Sequence, residues 1–276
     1  MKTIALPDGT AVPALGQGSW MMAEDPARRA DEIAALRAGI DLGLTLIDTA
    51  EMYADGESER LVGEAIAGRR DSMFLVSKAY PQNASRDRLP QACEASLRRL
   101  GTDRLDLYLL HWRGGVPLAE TVAAMERLVA AGKILRWGVS NLDTDDMEEL
   151  VAAGGAGCAA DQILYNLTRR GPEHDVLPWL AQRGIPVMAY SPVEQGRLAG
   201  HPALGALAAD RHVTAAQLAL AWLLARDDVI AIPKAGTLAH VHANRAAADL
   251  TLTPADLARL DHLFPRPTRP VPLEML

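Results

Sequence analysis

The chain has 276 residues, 49% of them hydrophobic and 23% charged, with 35 acidic against 28 basic side chains and a formal charge of −7. This is ordinary globular usage, which excludes global disorder, and the acidic balance without a basic tract counts against nucleic acid as a partner. Two cysteines only, Cys93 and Cys158, exclude a disulfide framework and any Cys-rich zinc or iron–sulfur site.

From the N-terminus, Thr3–Leu6 and Ala11–Leu15 flank Pro7-Asp8-Gly9-Thr10, a turn sequence that predicts a hairpin, because proline presets one dihedral and glycine accepts positive φ. The start carries no charged segment followed by a long apolar stretch and does not read as a signal peptide. The longest apolar-looking stretch, Ala215–Ala225, is far short of the ~20 residues that span a bilayer. A cytoplasmic protein with no membrane partner is the expectation.

Short apolar runs then alternate with segments of helical period. Strands are expected at Leu15–Gly18, Leu44–Asp48, Phe74–Lys78, Leu105–His111, Leu135–Ser140, Asp161–Tyr165, Val187–Ser191 and Val229–Ile232. The intervening helices are expected at Pro26–Leu42, Glu57–Ala67, Arg86–Leu100, Leu118–Ala131, Asp143–Ala153, Glu173–Gln182, Thr214–Ala225 and Leu238–Ala248. Eight of each favour an α/β fold of the closed (β/α)8 barrel type, residues 1–276 forming one domain, over an open doubly wound sheet. Leu198–Ala209 and Pro254–Leu263 would be extra helices, and Pro265–Pro272 an extended arm.

In such a barrel chemistry sits at the C-terminal ends of the strands. There the sequence places Asp48, Lys78, His111, Ser140-Asn141, Gln162 and Tyr190-Ser191, with Tyr53 in the loop five residues after Asp48. Each alone has an ordinary structural use as a cap, a solvated strand end or a packed ring. Together, an ammonium beside a phenol favours the phenolate, and a carboxylate holds the ammonium charged, so Asp48, Lys78 and Tyr53 read as a proton donor tuned towards neutrality, with His111 nearby. No Gly-x-Ser-x-Gly elbow or catalytic-cysteine context offers a nucleophile; hydride from a nicotinamide would complete a carbonyl reduction. The dinucleotide fingerprint is absent, since Gly16-Gln17-Gly18-Ser19-Trp20-Met21 has no third glycine. A separate anion site is expected where Ile232-Pro233-Lys234-Ala235-Gly236-Thr237 runs from the last strand into a helix.

These segments together resemble the aldo-keto reductase superfamily over nearly the whole chain. The resemblance is carried by GIDLGLTLIDTAEMY (Gly39–Tyr53), Val76-Ser77-Lys78, LDLYLLHW (Leu105–Trp112), ILRWGVSN (Ile134–Asn141), DQILYN (Asp161–Asn166), MAYSP (Met188–Pro192) and IPKAGTLAHVHAN (Ile232–Asn244). It implies a barrel closed below by the N-terminal hairpin and metal-free, NADPH-dependent reduction of small aldehydes and ketones. In tone the sequence is similar to small bacterial members that reduce methylglyoxal and related aldehydes. Carried onto this chain, the resemblance makes Tyr53 the general acid, Lys78 and Asp48 the pair that tunes it, and His111 the group that orients the carbonyl. Ser140, Asn141 and Gln162 would meet the nicotinamide carboxamide, Tyr190 would stack on its ring, and Ser191 and Leu198 would lie on the pyrophosphate side. Lys234 and Thr237 would take the 2′-phosphate and Asn244 the adenine, with Gly18, Ser19 and Trp20 on the same cofactor track. Trp20 and Trp112 would line the substrate mouth.

One departure bears on cofactor choice. Where many members carry an arginine for the 2′-phosphate, this chain has His240, and histidine lacks the bidentate fork; weaker selectivity for NADPH, still favoured because Lys234 remains, is expected. A monomer is the expected state. Two other readings fit the same residues: a cofactor-sensing regulatory subunit with little turnover, and a barrel lyase using Lys78 or Lys234 as a Schiff-base amine.

Overall fold

The computed structural model describes residues 1–276. The hairpin forms as its turn chemistry dictates: β1 (Thr3–Ala5) and β2 (Ala11–Pro13) pair antiparallel with Ile4 opposite Val12. Asp8 accepts the Thr10 N–H at 2.9 Å, and Gly9 takes φ +84°.

Eight parallel strands follow: β3 (Gln17–Gly18), β4 (Leu46–Asp48), β5 (Phe74–Ala79), β6 (Leu107–Leu110), β7 (Trp137–Ser140), β8 (Asp161–Leu164), β9 (Val187–Tyr190) and β10 (Val229–Ala231). They are ordered by sequence across the sheet. The first and last strands then meet. Ala231 donates to the Ala14 carbonyl (2.8 Å), Gly16 to the Ala231 carbonyl (2.9 Å) and Gly18 to the Pro233 carbonyl (3.0 Å), with parallel bridges at Leu15–Ala231 and Gly18–Lys234. The sheet is therefore closed into a barrel, as the alternation of elements predicts. A side chain at Gly18 would put Cβ 2.7 Å from the Ile232 carbonyl oxygen, so the seam closes only because that residue has none.

The helices lie outside: α1 (Arg29–Asp41), α2 (Glu57–Ile66), α3 (Arg88–Leu100), α4 (Leu118–Ala130), α5 (Thr144–Ala152), α6 (Val176–Ala181), α7 (Pro202–Ala209), α8 (Ala215–Leu224), α9 (Leu238–Ala247) and α10 (Pro254–Leu263). Three expected helices are interrupted, each for a local reason. Before α1, Pro26–Arg28 is a 3-10 turn capped by the Asp25 carboxylate, which accepts from the Ala27 N–H. The expected helix at Glu173–Gln182 divides into a turn at Gly171–Glu173 and α6, because Asp175 leaves helical geometry and caps Val176. Leu198–Ala209 divides into a turn at Glu194–Gly200 and α7, because His201 is extended before Pro202 and its Nδ1 accepts the Leu204 N–H. The tail after Phe264 has no regular structure but is docked: Arg170 donates to the Phe264 carbonyl, His174 bonds that of Pro267, and Val271 packs on Gly171.

Strand side chains alternate between two cores. Ile47, Leu75, Tyr108, Val139, Ile163 and Val187 face the helices in the larger core. Leu46, Val76, Leu109, Ala160, Met188 and Ile230 fill the interior of the barrel, where Ile4, Leu6 and Val12 of the hairpin plug the lower end. With a period of two, the next inward positions up the barrel are Asp48, Lys78, His111, Gln162 and Tyr190. The column changes from apolar to polar within one layer.

Candidate active site

Lys78 is the centre of that layer. It is fully buried, and its ammonium donates to Asp48 Oδ2 (2.8 Å), to the Thr49 carbonyl (2.8 Å) and to the Tyr53 hydroxyl (3.1 Å). All three N–H donors are thereby used. Asp48 Oδ1 accepts from Gln162 Nε2 at 2.8 Å, so both carboxylate oxygens are engaged. Burial alone would push the Lys78 pKa down, but Asp48 and Tyr53 outweigh it and the net direction is up. The lysine is thus locked as a cation, which argues against the lyase reading for it, since a Schiff-base amine must be neutral and free.

Tyr53 reaches this point from a loop of unusual shape. Ala54 (φ 48°), Asp55 (φ 50°) and Gly56 (φ 87°) are all in the left-handed region, which costs energy at the two non-glycine residues. Arg99 braces the turn: a Cβ at Gly56 would stand 2.6 Å from the Arg99 side chain, whose guanidinium bonds the buried Glu59. Glu59 in turn accepts from Ser77 Oγ at 2.6 Å, tying the loop to β5 beside Lys78. The expected tuning of the phenol towards neutrality is corrected here. Burial raises the Tyr53 pKa by more than the Lys78 ammonium lowers it, and Asp48 adds to the rise, so the phenol stays protonated at neutral pH.

His111 stands beside it, its ring 5.9 Å from that of Tyr53 at an interplanar angle of 74°. Burial, with a further contribution from the Lys78 charge, pulls its pKa down to about 2, so the imidazole is neutral. Its Nδ1 is buried without a partner. Trp112 packs on His111 (4.8 Å between centroids) and on Tyr80 (5.9 Å), and Trp20 is exposed on the loop after β3. Neither cysteine competes as a nucleophile, since burial pushes both thiols up to about 12.

A second network adjoins the first. Ser140 Oγ donates to the Gln162 carbonyl (2.7 Å), and Asn141 Nδ2 donates to Ser140 Oγ (3.0 Å) and to the His111 carbonyl (3.1 Å). Asn141, itself at φ 60°, accepts from the Tyr190 hydroxyl at 2.9 Å. These bonds fix the Tyr190 ring and leave Gln162 Oε1 without a partner in the chain, an acceptor suited to a ligand amide. Ser191 (φ 46°) is partly exposed beyond Tyr190, its carbonyl held by Asn166. Two expected cofactor residues offer less: Ser19 is buried with its hydroxyl bonded to Ser58 (2.9 Å), and Leu198 is buried in the outer core.

At the end of the last strand the structure adds a residue the sequence reading missed. The place a Cβ on Gly236 would occupy lies 2.9 Å from Arg28 Nη2, 3.4 Å from Lys234 Nζ and 3.7 Å from Glu32 Cγ. Two cations against one carboxylate leave this cradle with a net positive charge, which suits an anionic group. Thr237 caps α9, its Oγ1 accepting the His240 N–H at 3.3 Å, so its own O–H remains free to donate. His240 and Asn244 lie one turn apart on α9, the first exposed and the second partly so. Arg28 is over 200 residues from Lys234 in the chain, and nothing in the sequence between Ile232 and Thr237 points to it.

The profile of the Aldo/keto reductase family matches residues 14–264. The methylglyoxal reductase YeaE of Escherichia coli (strain K12) is 54% identical, with 100% of this chain and 99% of that protein covered. An aldo/keto reductase from Klebsiella pneumoniae solved with NADP and acetate superposes with a TM-score of 0.97 at 55% identity, covering 100% of this chain and 99% of that one. A thermostable aldo-keto reductase, Tm1743, solved with the inhibitor epalrestat, gives a TM-score of 0.89 at 37% identity over 95% of this chain and 100% of that one.

Proposed function

The chain belongs to the aldo/keto reductase family and is an oxidoreductase, and from that premise we propose that it reduces small aldehydes and 2-oxoaldehydes, methylglyoxal and aromatic aldehydes among them, with NADPH. The observation that carries the proposal is the Lys78 ammonium bonded at once to Asp48 and to Tyr53 at the top of the barrel. The cofactor, when bound, supplies hydride to the carbonyl carbon. Gln162, Asn141 and Ser140 would hold its carboxamide, Tyr190 its ring, Ser191 and the backbone around Gly18 its middle, and Lys234, Thr237 and Asn244 its adenosine end.

The chain's own part is to place and protonate the carbonyl oxygen. Tyr53 delivers its hydroxyl proton to that oxygen. Because burial keeps the phenol protonated, the donor is loaded at neutral pH. The ammonium 3.1 Å away stabilises the phenolate left behind, and Asp48 keeps that ammonium charged and fixed. His111, neutral, steers the same oxygen through a hydrogen bond without competing as an acid. Trp20, Trp112 and Tyr80 border the mouth, an aromatic rim suited to small, flat carbonyl compounds.

The test is optical loss of NADPH with methylglyoxal, wild type against Tyr53→Phe. Turnover is expected to fall by about 10²–10⁴-fold, the usual worth of a general acid. A phenylalanine variant that keeps full turnover would overturn the assignment. A relative 54% identical that is a methylglyoxal reductase supports the enzyme reading over a non-catalytic cofactor sensor; a wild type that binds NADPH but reduces nothing across a broad carbonyl panel would reverse that preference.

A further inference from the structure

The loop carrying Arg28 and the loop carrying Lys234 enter the barrel seam from opposite sides. Their cationic heads both lie within 3.4 Å of one point above Gly236. Two like charges held this close repel each other, so the pairing is unfavourable until an anion sits between them. The chain provides little compensation. Lys234 has no ion pair. Arg28 has one carboxylate, Glu32, at 3.8 Å, beyond hydrogen-bond distance. Glu32 is buried, and its other oxygen accepts the Ala23 N–H at 2.9 Å. Its Cγ stands 3.7 Å from the same point, so one carboxylate faces two cations and a net positive charge remains.

We propose that Arg28 is a specificity-determining residue for the phosphate monoester on the cofactor's ribose, supplying the guanidinium that the family resemblance leads one to seek at position 240. The proposal rests on the NADPH reading above and deepens it. A dianionic phosphate offers three oxygens. The planar fork of Arg28 can engage two of them, Lys234 serves as a point charge, and the free O–H of Thr237 is a third donor. Gly236 is the floor of the cradle, and any side chain there would occupy the space between the cations. The weaker selectivity expected from His240 is thus replaced by a firm preference for the 2′-phosphorylated dinucleotide.

The experiment measures dissociation constants of the full chain for NADP⁺ and NAD⁺ by calorimetry, with adenosine 2′,5′-bisphosphate and adenosine 5′-monophosphate as fragment probes. Arg28→Met is expected to weaken NADP⁺ and the bisphosphate by about tenfold or more while NAD⁺ and the monophosphate change less than about twofold. Arg28→Lys, which keeps charge but not the fork, is expected between wild type and Arg28→Met. His240→Ala is expected to weaken NADP⁺ less than Arg28→Met does. Arg28 is exposed, so these variants are expected to fold, and circular dichroism checks that. Equal losses for NADP⁺ and NAD⁺ in Arg28→Met, no loss for either, or a larger effect at His240 would each overturn the proposal. A wild type that binds neither dinucleotide would overturn the functional reading as well, whereas tight NADP⁺ binding unaffected by Arg28→Met overturns this inference alone.

Discussion

Two lysines stand on the same barrel rim, Lys78 on β5 and Lys234 after β10, and live in opposite surroundings. Lys78 is fully buried with every N–H donor used, its charge balanced by Asp48 at 2.8 Å. Lys234 is exposed, has no anionic partner and is crowded by a second cation, Arg28. The first arrangement is complete without a ligand and holds the Tyr53 hydroxyl, the proposed proton donor, in fixed geometry. The second is incomplete and becomes favourable only when something negative arrives. Saturation suits a group that must be preorganised for a reaction, whereas surplus charge suits one that must select a partner.

Removing the buried cation is expected to be the harshest way of testing that contrast. Lys78→Met should lower turnover by about 10³-fold or more through loss of phenolate stabilisation, with NADP⁺ affinity within a few fold of wild type. It should also lower the unfolding free energy by about 3–5 kcal/mol, because Asp48 is left as an uncompensated buried charge. Urea denaturation and calorimetric binding check both; loss of cofactor binding with unchanged stability would reverse the roles assigned to the two lysines.

The pH dependence separates the regions more finely. Lys78 and Tyr53 both have folded-state pKa values above their ordinary 10.5 and 10.0. Each therefore contributes stability that is complete below the unfolded value and is lost as pH climbs through the folded one. Urea midpoints measured from pH 9 upward should fall for the wild type above pH about 10, and Lys78→Met should show a shallower decline. Parallel curves for the two proteins would mean that the buried cluster is not the source.

The smallest expected effect is at the cradle floor. Gly236→Ala places a methyl against the mobile ends of Arg28 and Lys234, which can move aside. A loss of NADP⁺ affinity of about threefold, with unchanged melting temperature and turnover at saturation, is expected. A marked loss of stability would show that this glycine serves the fold and not the ligand.

The fold was legible because short strand segments such as Leu46-Ile47-Asp48 and Val76-Ser77-Lys78 start apolar and end charged, and period-two alternation places the first and last residue of each on the inward face. Strand ends were less so: β3 pairs over Gln17–Gly18 alone, with Leu15 adding a single bridge. The broken helices at Asp175 and His201 depend on caps that a helical period does not reveal. Of the site, Asp48, Lys78, Tyr53 and His111 were found and do converge. The direction of the Tyr53 shift was misread because burial of the phenol depends on the path of the chain through Ala54–Gly56; Asp55-Gly56 marks a turn there but does not say where the ring goes. Arg28 was missed because it meets Lys234 only when the barrel closes.

That closure gives the cradle a mechanical role. The joint between the first and last staves is held by three backbone hydrogen bonds around Gly16, Gly18 and Ala231, and Arg28 and Lys234 emerge on its two sides. An anion gripped by both is a rivet through the joint, and any opening that parts those staves must first release it. At a hundredfold excess over its Kd, a ligand confined to the closed form adds about 2.7 kcal/mol of resistance to unfolding. On the proposed binding mode, the joint between the first and last staves is reinforced whenever the dinucleotide is abundant.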